Sequence, residues 1–189
     1  MSGKTAGIIG TGKIAKVLIH ILRGFGMNIL ANDLHPDLYF AEQEGIRYVA
    51  LDEIYSQSDI ISLHCPLTEQ THHMINKEAI DKMKEGVMII NTGRGQLINT
   101  EALIDGLKRK KIGAAGLDVY EEEAHYFYKD TSDKIISDDV LARLLSFNNV
   151  ILTSHQGFFT REALENIART TLQNIKDYEN NIPLVNEVK

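Results

Sequence analysis

The tightest constraint on the chain is the stretch Gly10-Thr-Gly12-Lys-Ile-Ala15, set between an apolar run, Ala6 to Ile9, and a helical pattern that begins at once. Ile14, Val17, Leu18, Ile21, Leu22 and Phe25 recur at spacings of three and four, which reads as one apolar stripe on a helix. Strand, glycine turn and helix is the setting in which Gly-x-Gly-x-x-Gly/Ala has a physical purpose. Gly10 permits the tight turn, Gly12 keeps side-chain atoms away from an approaching pyrophosphate, and Ala15 lets helix and strand pack closely. The unpaired N–H groups at the helix start offer positive potential to the phosphates. Glycine turns are common, so a second feature has to carry the ligand reading. Asp33 lies just past a second apolar run, Met27 to Ala31, at the spacing of about 20 residues expected of a ribose-binding carboxylate. An acid here also repels a 2′-phosphate, and no Arg occurs in Leu34-His-Pro-Asp37. The cofactor expected is therefore NAD and not NADP.

Further along, short apolar runs alternate with helical patterns. Helices are expected over Pro36 to Gln43, Asp52 to Ser56, Asn76 to Met83, and from a cap at Asn99 or Thr100 to about Lys110. Strands are expected at Arg47 to Ala50, Ile60 to Leu63, Val87 to Ile90, Ala114 to Val119 and Val150 to Leu152, with Gly113 ending the connection before the fourth of these. Alternation of this kind indicates an α/β fold, a Rossmann-like doubly wound parallel sheet with helices on both faces. Ligands of such sheets sit outside the carboxyl ends of the strands. Those ends carry His64-Cys-Pro66, Asn91-Thr-Gly-Arg94-Gly95, Asp118-Val-Tyr-Glu-Glu-Glu123 and Thr153-Ser-His155-Gln-Gly157. An Arg, a carboxylate and a His at three strand ends form an anion-binding and acid–base set.

Composition narrows the alternatives. A net charge of −6 over 189 residues argues against nucleic-acid binding through a general basic surface. The single Cys65 cannot form an internal disulfide and fits a reducing compartment. No apolar run reaches the length of a membrane span, and the first residues lack a signal-peptide core, so a cytoplasmic location with no membrane partner is the expectation. His72 and His73 are adjacent but have no further ligand at metal-site spacing, so no metal is expected. Cys65 reads as a small apolar residue, and Asp105 with Arg109 as an exposed helical pair.

Taken together, residues 3–14, 61–68, 86–95, 118–121 and 154–156 resemble the NAD-binding domain of the D-2-hydroxyacid dehydrogenases, in their D-lactate dehydrogenase branch. The resemblance extends over nearly the whole chain. The long segment between Glu123 and His155, with Tyr126-Phe-Tyr128 and Asp138-Asp139, is similar to that branch in particular. It implies Arg94, Glu123 and His155 as the catalytic residues of an enzyme interconverting a 2-oxo acid such as pyruvate and its D-2-hydroxy acid. Within the acidic run, Glu121 and Glu122 are the alternatives to Glu123. The same resemblance implies cofactor contacts from Gly10, Gly12, Lys13, Ile14, Asp33, Cys65, Pro66, Thr71, Thr92, Gly93, Arg94, Asp118 and His155. Ala15 stands where the motif often has a third Gly, and Gly157 where the family often has Ala.

The expected organisation is a nucleotide-binding domain over 1–157 and a helical extension over 158–189. In that extension Thr160 caps a helix with Leu164, Ile167, Ala168, Thr171, Leu172 and Ile175 on one face. Enzymes of the resembled family add a second, lid-forming domain drawn mostly from sequence before the glycine motif, which this chain is expected to lack. Two functions therefore compete: a 2-oxo acid reductase or its cofactor domain, and a shortened NAD-binding module with little turnover. A homodimer is compatible with either.

Overall fold

The structure, a computed structural model, describes residues 1–123 and 138–187. Tyr126-Phe-Tyr128, singled out above, lies outside the described residues. By its internal contacts the chain divides into two units, Met1–Ser154 and His155–Lys189.

The first unit is built on a parallel sheet of β1 (Thr5–Ile9), β2 (Asn28–Asn32), β3 (Arg47–Tyr48), β4 (Ile60–Leu63), β5 (Val87–Asn91), β6 (Ile112–Leu117) and β7 (Val150–Leu152). Their order is β3-β2-β1-β4-β5-β6-β7. The chain winds outward from β1 in one direction and then starts again beside it with β4. The carboxyl ends of β1 and β4 therefore flank the point where the winding reverses, which is where such sheets bind ligands.

Between the strands lie α1 (Lys13–Gly24), α2 (Leu38–Glu44), α3 (Leu51–Gln57), α4 (Lys77–Lys82), α5 (Thr100–Lys108) and α6 (Asp139–Leu145). Strand alternation divides the core in two. Ile8, Ile29 and Ala31 pack with Ala15, Ile19 and Leu22 of α1 on one face. Ile9, Leu30, Ile61 and Leu63 pack with α3 to α6 on the other, through Ile54, Ile80, Leu103 and Leu144. Burying such side chains stabilises by about 1.5–3 kcal/mol each relative to leaving them exposed. Asn76, Asn99 and Asp138 cap the helices that follow them with their side-chain oxygens.

Two details differ from the sequence expectation. The α1 stripe is rotated: Ala15, Ile19 and Leu22 are buried, while Ile14, Val17, Ile21 and Phe25 stand 49–75% exposed. A helix this apolar offers two faces, and the sheet takes the one carrying the small Ala15, which permits close approach. The second detail is β6, which begins at Ile112 and includes Gly113 rather than following it. A Cβ at Gly113 would lie 2.5 Å from the Gly86 carbonyl oxygen, so glycine lets the strand continue past its neighbour. Elsewhere the boundaries shift by a residue or two, and β3 is shorter than expected.

The second unit contains α7 (Arg161–Glu179), which is capped by the Thr160 hydroxyl accepting from the Ala163 N–H. Leu164, Ile167, Leu172 and Ile175 are each at least 41% exposed. Among the described residues no helix is long and apolar enough to cross a membrane.

Candidate functional site

The glycine turn follows β1. Gly10 has φ +89°, and a Cβ there would meet the Cys65 backbone nitrogen at 2.5 Å. Glycine is required by both backbone conformation and the proximity of the chain leaving β4. Gly12 differs: an added Cβ would have no atom within 4 Å. It occupies the N-cap of α1, which has no side-chain cap and no acid in its first turn. The helix start therefore presents backbone N–H groups, flanked by Lys13 and Lys16, to open space. That arrangement suits a pyrophosphate.

Asp33, one residue beyond β2, reaches back to this turn. Its Oδ2 accepts from the Thr11 N–H at 2.6 Å and the Thr11 hydroxyl at 2.9 Å, and its Oδ1 accepts from the His35 N–H at 2.8 Å. Partial burial raises the carboxyl pKa, but the hydrogen bonds from His35 and Thr11 outweigh it and hold the group below the usual value of 3.8. The Tyr48 hydroxyl donates to Thr11 Oγ1 at 2.9 Å. Sequence reasoning did not single out Tyr48 or Thr11. The signal available was Thr11, as the variable residue of Gly-x-Gly, and it pointed to no partner.

Across the reversal point, β4 delivers His64, Cys65 and Pro66. His64 Nε2 lies 2.8 Å from the Ser62 hydroxyl, and burial lowers its pKa. Burial pushes the Cys65 thiol up, and its Sγ lies 3.6 Å from Met74 Sδ, so the thiol favours its neutral form. Thr71, in the following loop, donates to the Pro66 carbonyl at 2.7 Å and closes that loop.

β5 ends at the buried Asn91, whose amide organises the next turn. Its Oδ1 accepts from the Gly93 N–H at 3.0 Å and its Nδ2 donates to the Arg94 carbonyl at 2.9 Å. Arg94 itself is exposed, with one guanidinium nitrogen donating to the Gly93 carbonyl at 2.8 Å. Thr92 is exposed and Gly93 half-buried beside it. The Asp118 N–H at the end of β6 donates to the Asn91 carbonyl at 2.9 Å, linking the two strand ends, and the Thr153 hydroxyl donates to Asp118 Oδ1.

The three acids after β6 separate by their contacts. Glu121 turns toward α5: its Oε2 accepts from the Thr100 N–H at 2.8 Å, and its Oε1 meets His73 Nε2 at 2.6 Å. Glu123 Oε2 accepts from the Tyr120 N–H at 3.2 Å. His72 stacks on His73 at 3.9 Å. Among the described residues no cluster of three or more His, Cys, Asp or Glu is arranged to hold a metal ion.

The first unit thus gathers the glycine turn, Asp33, Cys65, Pro66, Thr92, Gly93, Arg94, Asp118 and Glu123 at the carboxyl ends of one sheet. Residues 1–157 match the family model described as D-isomer specific 2-hydroxyacid dehydrogenase, NAD binding domain. The chain belongs to this family.

Within the D-isomer specific 2-hydroxyacid dehydrogenases, it is 55% identical over 175 residues to a 2-hydroxyacid dehydrogenase homolog of Haemophilus influenzae, covering 93% of this chain and 53% of that protein. It is 50% identical over 188 residues to a D-lactate dehydrogenase of Escherichia coli, covering 100% and 57%. Among solved structures it is similar to the pyruvate reductase of Chlamydomonas reinhardtii, with a TM-score of 0.92 at 46% identity over 98% of this chain and 56% of that one. A D-lactate dehydrogenase with NAD+ from Lactobacillus jensenii gives 0.89 at 32%, covering 98% and 56%. The chain spans about half the length of the relatives it matches. NAD is the cofactor of this family's domain, and the open Gly12, the uncapped α1 and the inward-held Asp33 fit it. His155, the remaining implicated residue, opens the second unit at φ +52°.

Proposed function

We propose that the chain forms the cofactor-binding and catalytic-residue portion of an NAD-dependent dehydrogenase that interconverts a small 2-oxo acid, pyruvate foremost, and its D-2-hydroxy acid. The observation carrying this is the gathering of the glycine turn, Asp33, Arg94 and Glu123 at the carboxyl ends of one sheet, in a chain of this family. NADH, when held at this site, would supply the hydride that reduces the substrate's carbonyl carbon. Gly10 and Gly12 shape the pyrophosphate turn, with Lys13 and Ile14 beside it. Asp33 takes the adenosine ribose, Cys65 and Pro66 line the adenine and ribose side with Thr71 close to the phosphates or ribose, and Thr92, Gly93 and Asp118 face the nicotinamide half.

Arg94 binds the substrate carboxylate and carbonyl oxygen through its planar fork. Its exposed guanidinium has donors to offer, and lysine could not reproduce the two-point contact. His155, protonated, gives its proton to the carbonyl oxygen as charge develops there. Glu123 is assigned as the carboxylate that supports this imidazole. Free imidazole has a pKa near ~6.5, so a neighbouring carboxylate is needed to favour the protonated form at neutral pH. Glu121, which accepts from the Thr100 N–H and meets His73, and Glu122 are the alternatives for that role.

A second reading is that this portion, which spans about half the length of its relatives, acts by itself as an NAD-binding module with little turnover. One pair of measurements separates the two. NADH fluorescence titration reports binding, and pyruvate-dependent NADH oxidation reports turnover. The dehydrogenase reading expects both, with oxidation falling by about a hundredfold or more in His155→Gln. Binding without oxidation would leave the module. Failure to bind NADH would remove both.

A further inference from the structure

We infer that Tyr48 and Thr11 are positioning residues for the cofactor's adenosine ribose: a one-way relay of hydroxyl groups holds Asp33 in place and thereby sets the preference for NADH over NADPH. The inference rests on the reading of Asp33 as the ribose-binding acid.

The direction of the relay follows from its two ends. The Asp37 backbone N–H can only donate, and it points at the Tyr48 oxygen at 3.2 Å. The Asp33 carboxylate can only accept, and its Oδ2 takes the Thr11 hydroxyl proton at 2.9 Å. Each hydroxyl between them has one proton to give. Tyr48 therefore donates to Thr11 Oγ1, at 2.9 Å, and the run is Asp37 N–H to Tyr48 to Thr11 to Asp33. Hydrogen bonds aligned in one sense polarise one another toward the anionic end.

The relay is anchored where it begins. Asp37 is the N-cap of α2, its Oδ1 accepting from the Phe40 N–H at 3.0 Å. It also pairs with Lys16 of α1, whose ammonium lies 4.9 Å from the Phe40 ring centre. Tyr48 sits on the edge strand β3 with its ring against the α1 face of the core. Two helices and the sheet edge thus hold the first donor, and the last link reaches the glycine turn. The chemistry is selective. A carboxylate fixed in position accepts from a ribose diol and repels a 2′-phosphate, whereas a loosened one can swing aside and do neither well.

The test is NADH and NADPH binding, followed by fluorescence on the 189-residue chain, with thermal melting alongside. Tyr48→Phe keeps the ring and removes the relay's hydroxyl. Loss of one supporting hydrogen bond predicts an NADH dissociation constant raised about three- to tenfold. NADPH is expected to change less, so the NADH preference narrows. Thr11→Val is expected to exceed Tyr48→Phe, and Thr11→Ser to restore binding close to wild type. If Tyr48→Phe does not fold, the Thr11→Val and Thr11→Ser pair carries the same comparison. NADH affinity within twofold of wild type in Tyr48→Phe, or a lower melting temperature with an unchanged NADH-to-NADPH ratio, would overturn the inference. So would Thr11→Ser binding no better than Thr11→Val. Asp33→Ala separates the two levels. If it leaves NADH binding unchanged, the ribose reading of Asp33 has failed. If it weakens binding while Tyr48→Phe does not, only the relay has failed.

Discussion

At the β1–β2 end of the strand rim, the polar side chains that would meet the adenosine half of a dinucleotide are held by the protein itself. Asp33 is fixed by Thr11 and His35, Thr11 by Tyr48, and Asp37 by Lys16 and the start of α2. At the β5–β6 end the backbone is fixed just as firmly, by the buried Asn91 amide and the Asp118 N–H, yet the charged group it delivers, Arg94, is exposed. One half of the rim holds in advance the acid that the proposed function assigns to the ribose. The other arranges a platform and leaves the guanidinium available to a small anion. A cofactor that stays through the reaction suits the first arrangement, and a substrate that enters and leaves suits the second.

Gly10→Ala gives the largest expected effect and tests whether the adenosine half depends on backbone shape. The φ of +89° and a Cβ 2.5 Å from the Cys65 nitrogen together predict a loss of about 3–5 kcal/mol in stability, read as a lower urea midpoint with an unchanged slope. A midpoint equal to wild type would mean that the two strand ends are less closely apposed than described. Asn91→Ala asks the same of the other half. It frees the Gly93 N–H and the Arg94 carbonyl and empties the buried site of the Asn91 amide, for an expected loss of about 2 kcal/mol. Arg94→Ala is expected to leave the midpoint within about 0.5 kcal/mol of wild type, since the side chain is exposed. If Arg94→Ala destabilises as much as Asn91→Ala, the distinction between platform and available side chain collapses.

Much of this arrangement was legible in the residues, because it rests on local rules. The run from Ala6 into Gly10-Thr-Gly12 fixes a strand, a turn and a helix start. The strands that follow are apolar and separated by helical patterns, which dictates a parallel sheet. Arg94, Asp118 and the acidic run Glu121-Glu122-Glu123 could be assigned to strand ends without coordinates, because each lies within a few residues of the end of an apolar run. Contacts that depend on distant segments were not legible. Tyr48 and Thr11 are far apart in sequence, and nothing in Arg47-Tyr48-Val49 announces a hydroxyl aimed at the glycine turn. Glu121, Glu122 and Glu123 are identical in type. Only the fold shows Glu121 turned toward Thr100 and His73. The α1 stripe was misread for a related reason: periodicity finds an apolar face but does not say which of two the sheet will take.

Gly12→Ala is the counterpart to Gly10→Ala, with a smaller free-energy effect of a different kind. Its Cβ would enter open space at a helix N-cap with φ −67°, so stability should change by less than about 1 kcal/mol. The same Cβ would stand where a pyrophosphate approaches, and NADH affinity should fall about tenfold or more. Equal effects of both glycine variants on melting would show that the turn is simply a structural element.

The smallest expected effect concerns pH, and its sign follows from Asp33. The folded protein holds this carboxyl below 3.8, so the folded state binds its proton less readily than the unfolded chain does. The ionised carboxylate therefore contributes stability above the unfolded value, and that contribution is lost as pH falls through the folded one. Asp33→Asn removes the titration while keeping an oxygen able to accept from Thr11. The urea-midpoint gap between wild type and Asp33→Asn should be present at pH 7 and close as pH falls below the ordinary carboxylate range. A gap that stays constant or widens on acidification would mean that the hydrogen bonds from Thr11 and His35 do not favour the charged form. The adenosine half of the rim would then be no better arranged in advance than the half that carries Arg94.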